Sequence, residues 1–218
     1  MKAAPHFGPL SVAVLLGHSL FAQGTASSPP TKAPVPAQDP WAYSLTVDGY
    51  IVPNDQSYVD PVFMADHNWL HLEARYNYEN LRTGSVWIGY NFSAGKNLVL
   101  NITPMIGGVF GRTNGIAPGF EASLTYRKVE LLISNEYVFD TGGRSGNFCY
   151  SWPQLTYSPL SWLRVGLVAQ RTKAFHTTLD VQRGFLLGIS HKQWEFTTYI
   201  FNLGFTDPTV VLEVGVNF

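Results

Sequence analysis

The sequence predicts an all-β fold: an antiparallel transmembrane β-barrel of about twelve strands, with ten as the fallback. Three observations carry that expectation. From Trp41 to the last residue, apolar and polar side chains alternate with a period of two, and a β-strand is the structure that puts successive side chains on opposite faces. Charged residues are only 13% of the chain while aromatics reach 14%, and an ordinary soluble domain carries about 25% charged residues. Past the N-terminus, no run of roughly 18 apolar residues offers a membrane helix. A membrane-embedded form would therefore satisfy its backbone through a closed ring of strands.

The first forty residues stand apart. Residues 1–22 read as a signal peptide: Lys2 supplies the positive start, an apolar core runs from 10 to 21, and small residues follow at Ala22, Gly24 and Ala26. No cysteine sits at that junction, which argues against a lipoprotein. Residues 23–40 are a Pro/Ala-rich periplasmic linker without periodicity. The barrel is expected over 41–218.

Within it, Tyr43, Leu45, Val47 and Ile51 alternate with Ser44, Thr46, Asp48 and Tyr50. The run at 58–64 is the least regular, yet an even strand number requires it. Leu70, Leu72, Ala74, Tyr76 and Tyr78 oppose Trp69, His71, Glu73, Arg75 and Asn77. After a turn at 79–83, Val86, Ile88, Tyr90 and Phe92 oppose Ser85, Trp87, Gly89 and Asn91. A turn at 93–97 leads to Leu98, Leu100, Ile102, Ile106 and Phe110, and a polar loop at 112–119 to Phe120, Ala122, Leu124 and Tyr126. Past the Arg127-Lys128 reversal come Val129, Leu131, Ile133, Tyr137 and Phe139, then a Gly-rich loop at 140–147. A weaker Pro153-bearing run ends in a turn at 158–160. Leu163, Val165 and Leu167 precede a loop through His176; Phe185, Leu187 and Ile189 precede the turn at 191–192. Trp194, Phe196, Thr198 and Ile200 lead through 203–208 to the last strand. Alternating segments of about ten residues divided by turns are the sequence signature of a membrane barrel.

That last strand, Val210, Leu212, Val214, Val216 and Phe218 on one face against Val211, Glu213, Gly215 and Asn217 on the other, resembles the closing strand of Gram-negative outer-membrane β-barrels. The resemblance implies an outer-membrane location, contact with membrane lipid and lipopolysaccharide, and a terminal aromatic, Phe218, that the assembly machinery reads. It also implies short turns on the periplasmic side and longer loops outside, which the spacing of 93–97, 127–128, 158–160 and 191–192 against 112–119, 140–147, 173–179 and 203–208 matches. Tyr and Phe near strand ends fit interfacial girdles.

The candidate functional residues lie on the inward face: Asp48, His71, Glu73, Arg75, Glu121, Arg127, Glu130, Glu136, Arg164, Glu195 and Glu213. One reading is a network of ion pairs that fills a narrow barrel; the other is a small passive channel for small solutes, mildly cation-preferring because acids outnumber arginines. A lipid-modifying hydrolase centred on His71, with Ser85 one strand away, is an alternative from a different class, although no oxyanion site is apparent. A secreted soluble β-barrel binding an apolar ligand is another. Arg112, Arg144, Arg171, Lys173 and Arg183, near outer strand ends, are candidates for pairing with lipopolysaccharide phosphates. A net charge of −1 offers no field for nucleic acid. The scattered histidines have no metal-ligand spacing, no cofactor motif occurs, and Cys149 reads as an inert residue near the outer rim.

Overall fold

The computed structural model describes residues 40–53, 55–143, 146–174, 180–204 and 208–218. The signal-like segment and nearly all of the linker lie outside the described residues. Period-two alternation becomes strand throughout: β1 (Ala42–Ile51), β2 (Tyr58–His67), β3 (Leu70–Tyr76), β4 (Thr83–Tyr90), β5 (Phe92–Gly95), β6 (Leu98–Gly111), β7 (Gly115–Tyr126), β8 (Val129–Asp140), β9 (Phe148–Leu160), β10 (Leu163–Ala174), β11 (Asp180–His191), β12 (Trp194–Phe201) and β13 (Thr209–Asn217). Neighbours in sequence pair antiparallel, β13 returns to pair with β1, and both β4 and β5 pair with β6. β4 and β5 are thus two halves of one crossing, broken at Asn91, and the ring has twelve crossings.

The seam is closed in register from Ser44 opposite Asn217 to Ile51 opposite Val210. Tyr43 and Phe218 complete it by exchanging two backbone hydrogen bonds of 2.9 Å, with their rings stacked at 6.0 Å. Phe218 is therefore a structural part of the wall as well as the end of the chain.

One rim carries five two-residue turns, such as Asn68-Trp69 and Lys192-Gln193; the other carries the longer connections between strands, those after β1, β3, β6, β8, β10 and β12. We call these the turn end and the loop end. Several expected turns prove to be strand. Residues 93–95 belong to β5, 158–160 to β9, whose turn is Ser161-Trp162, and 115–119 to β7. Proline and glycine made those segments look like loops. Pro118 and Pro153 instead sit where one neighbouring ladder lapses, β7–β8 between Ile116 and Gly119 and β9–β10 between Ser151 and Gln154, so no strand donor is missed.

The faces point as alternation requires. Ile88, Ile106, Leu124, Leu167, Phe185 and Val214 lie on the outer surface, Phe185 at 57% exposure, and do not meet in a common core. An outer wall this apolar is suited to hydrocarbon. Trp69 stacks on Tyr90 at 5.6 Å near the turn end, where Tyr126, Tyr157, Trp162 and Trp194 are also exposed, forming one interfacial belt. Tyr78 departs from the expected outer face: it is buried inside, because Asn77 adopts a left-handed conformation (φ 64°) that ends β3 and shifts the phase by one residue.

Substituting Ile106→Arg, halfway along β6, places a charge on the lipid face near the midplane. We expect it to lower stability by about 2–4 kcal/mol, measured by urea unfolding of the protein refolded into lipid vesicles.

Candidate functional site

The inner face has three zones. Toward the loop end it is packed with rings: Tyr50 stacks on Tyr58 at 4.5 Å, Tyr78 meets Tyr150 edge-on at 6.3 Å, and Trp152 meets Tyr199 and Phe201 at 5.4 and 5.2 Å. Phe148, Val138 and Val211 fill the space between them. Period-two alternation predicts a mixed, mainly polar face here, with Tyr50, Trp87 and Val211 among its members; the rings at the loop end pack into an apolar layer. A barrel of this girth is narrow enough for side chains to occupy much of its interior.

The middle zone is charged. Arg75 organises one wall. Its guanidinium bonds Glu73 and, at 3.0 Å, Glu136, with Glu79 at 3.9 Å. Its carbon lies 4.1 Å from the centre of the Tyr78 ring and 4.4 Å from that of Trp87, a geometry in which the π faces add to the ion pairs. Trp87 can lie flat there because Gly107 faces it; a Cβ at that position would collide with the Trp87 ring. Glu79 reaches the lumen on the inturned loop 77–82, where Asn77 accepts from the Arg82 amide and donates to the Val59 carbonyl, both at 2.8 Å. Glu79 in turn accepts from Ser85 at 2.6 Å. On the opposite wall Arg164 pairs with Glu195 and donates to Thr197 at 3.1 Å.

Between these walls, Glu213, Asp48 and Asp60 stand directly across from one another on β13, β1 and β2. Glu213 accepts a hydrogen bond from Tyr199 at 2.9 Å. Among the described residues no cation lies within 4 Å of these three carboxylates. Among the described residues six carboxylates are buried (Asp48, Asp60, Glu73, Glu79, Glu136 and Glu213), against two arginines, Arg75 and Arg164.

The third zone is a cavity of about 590 Å³ at the turn end, lined by Asp66, His71, Asn91, Thr103, Glu121 and Ser123 among others. Thr103 donates to Asn91 at 2.8 Å, Asn91 donates to Asp66 at 2.6 Å, and His71 Nδ1 lies 2.8 Å from the same Asp66 oxygen. Alternation with Ser85, Trp87 and Gly89 points Asn91 inward, and the register on β6 is the same on both sides of the gap between β4 and β5.

Of the residues expected in the lumen, Asp48, His71, Glu73, Arg75, Glu136, Arg164 and Glu213 are buried inside. Glu121 lines the cavity, Glu130 accepts from Thr125 at 3.1 Å, and Glu195 holds Arg164. Arg127 does not belong with them: it occupies a two-residue turn with φ 56°, exposed, its guanidinium 5.2 Å from the Tyr126 ring. The left-handed turn ends the alternation that pointed it inward. Asp60, Asp66 and Glu79 were missed because they lie in the least regular strand or in a presumed turn. Ser85 sits opposite Arg75, whereas the residue opposite His71 is Gly89. Four strand residues, or about 13 Å, separate those levels, so the two do not form a dyad. Arg112, Arg171 and Arg183 are exposed. Arg144 and the Lys173 side chain lie outside the described residues. Cys149 is half-buried in the wall.

A closed antiparallel barrel of twelve crossings, with a greasy wall and a charged interior, has the architecture of an outer-membrane porin. The structure is similar to that of KdgM porin, with a TM-score of 0.57 at 14% identity over 80% of this chain and 99% of the porin. It is also similar to KdgM porin in complex with disordered oligogalacturonate, with a TM-score of 0.55 at 14% identity, covering 80% and 98%. No protein-family model and no curated protein matches the sequence.

Removing Arg75 leaves Glu73 and Glu136 buried without their bonded cation. Arg75→Ala should cost about 3–5 kcal/mol, read as a lower urea midpoint and a lower temperature for loss of the compact band in SDS gels.

Proposed function

We propose that the chain is a small passive channel of the outer membrane with a polar, mildly acidic lumen. The observation that carries this reading is the pairing of an apolar outer wall with an interior that holds six buried carboxylates and two arginines above an open cavity at the turn end. Water-loving groups inside a ring that faces hydrocarbon are the arrangement of a conduit. The likeness to KdgM porin supports the same reading, and passage of small hydrophilic solutes is the property carried over. An enzymatic role finds no support in the geometry, since Ser85 is engaged by Glu79 and Trp87. One observation favours a second reading, a structural barrel that conducts nothing: the packed layer of rings at the loop end.

In this orientation the turn end and Phe218 face the periplasm, and Arg112, Arg171 and Arg183 stand near the outer leaflet, where arginine forks can pair with lipopolysaccharide phosphates. Phe218 is proposed as the residue that the assembly machinery reads.

Purified protein in planar bilayers should give stepwise KCl conductance and run as a heat-modifiable band in SDS; a folded band with no current would select the structural barrel. Deleting Phe218 removes two seam hydrogen bonds and one ring contact. The deletion should sharply reduce outer-membrane accumulation in cells while refolding into detergent survives, as heat-modifiable mobility would report.

A further inference from the structure

Resting on the channel reading, we infer that the lumen takes compact organic cations bearing ammonium or guanidinium groups, and that Glu213, Asp48 and Asp60 are the residues that hold them. These three carboxylates are cross-strand neighbours at one level of the barrel, where facing side chains stand about 5 Å apart and like charges repel. Burial strips them of water, and among the described residues no cation lies within 4 Å of any of them. Both Asp60 oxygens and Asp48 Oδ1 have no hydrogen-bond donor. A carboxylate row in that state calls for a partner with positive charge and several N–H groups.

Two further observations select an organic cation over a metal ion. Beside the row, the buried hydroxyls of Tyr50 and Tyr150 also have no partner, and both rings lie within electrostatic reach of Asp48 and Asp60. Those rings offer π faces as well as oxygens. Among the described residues, moreover, no three acidic, histidine or cysteine side chains converge closely enough to chelate a metal.

The barrel also contains its own precedent. Arg75 is a guanidinium held by Glu73 and Glu136 between the rings of Tyr78 and Trp87. The row on the adjoining strands β2, β1 and β13 repeats that chemistry, carboxylates beside tyrosine faces, with no cation within 4 Å among the described residues. A guest carrying the Arg75 head group would be held by the same kinds of group. The cavity at the turn end, lined by Asp66 and Glu121 together with His71 and Lys192, gives it an approach of mixed charge. An acidic oligosaccharide would meet repulsion at the carboxylate row.

The test uses the full-length folded protein in planar bilayers and three probes: a KCl gradient, L-arginine hydrochloride and potassium galacturonate. The expected result is a reversal potential biased toward cations, with L-arginine permeating or blocking the KCl current and galacturonate doing neither. The Asp48→Asn/Asp60→Asn double variant, checked for folding by heat-modifiable mobility, should weaken the arginine effect by about tenfold or more, as expected for the loss of a charge-assisted hydrogen bond. Should that variant not fold, the milder Glu213→Gln change and calorimetric titration of L-arginine into wild-type protein in detergent serve the same purpose. KCl current without preference for arginine over galacturonate, or an arginine effect untouched by the substitutions, overturns the inference and leaves the channel standing. Absence of KCl current from folded protein overturns the channel reading, and the inference with it.

Discussion

Inside a bilayer no water is available to an unpaired peptide group, so a sheet that crosses it must have no edge. Here that condition is met at one place, the union of β13 with β1. Every other ladder joins strands that are adjacent in sequence and linked by short connections. The seam joins strands at opposite ends of the barrel and carries the largest loop-closure cost. Its eight registered pairs and the added Tyr43–Phe218 exchange are what convert a long meander into a closed wall. Phe218 stacks on Tyr43 and exchanges two backbone hydrogen bonds with it, so this aromatic has a mechanical role inside the fold.

Closure in turn decides what the interior must solve. A ring of twelve crossings leaves a space that side chains from facing walls can span, and the sequence fills it unevenly. At the loop end, rings and aliphatic groups pack into a dry layer. Just below that layer sit the carboxylates and arginines. Proximity to an apolar layer lowers the local dielectric and strengthens each ion pair, but it raises the cost of any charge left unpaired. Arg75 and Arg164 are each bonded to carboxylates, whereas the carboxylates of β13, β1 and β2 have no cation within 4 Å among the described residues. That uneven pairing, together with the excess of buried carboxylates over arginines, gives the interior its sign.

Alternation made most of this wall legible. The outward and inward faces of β6, β8, β11 and β13 follow from period two, because one face meets hydrocarbon and a register slip would invert it. What escaped the pattern lies where the backbone leaves the regular strand. Asn77, in a left-handed conformation, turns Tyr78 and Glu79 into the lumen, and no count of alternate residues anticipates a one-residue phase change. Arg127 was carried outward by the same kind of turn. Pro61 and two aspartates made β2 look doubtful, yet Asp60 and Asp66 are inward-facing members of a complete strand. A polar residue in an apolar run reads as an interruption until the lumen that receives it is known.

Asn91, by contrast, shows alternation carried through an interruption. The register on β6 is the same on both sides of it, from Gly89 opposite Met105 to Phe92 opposite Ile102. Its backbone amide bonds to the Trp69 carbonyl at 2.7 Å, and its inward side chain meets Asp66 and Thr103. Asp66 is thereby fixed from two sides and holds His71 at the floor of the cavity. From His71 the inward residues of β3 continue as Glu73 and Arg75, each within 4 Å of the next, and Arg75 carries the contact to Glu79 and Glu136. Asn91 at the rim is therefore linked, through a single row of side chains, to the charged middle of the barrel. That row keeps Arg75 bonded to Glu73 and Glu136, and the carboxylates on the adjoining strands β2, β1 and β13 have no cation within 4 Å among the described residues.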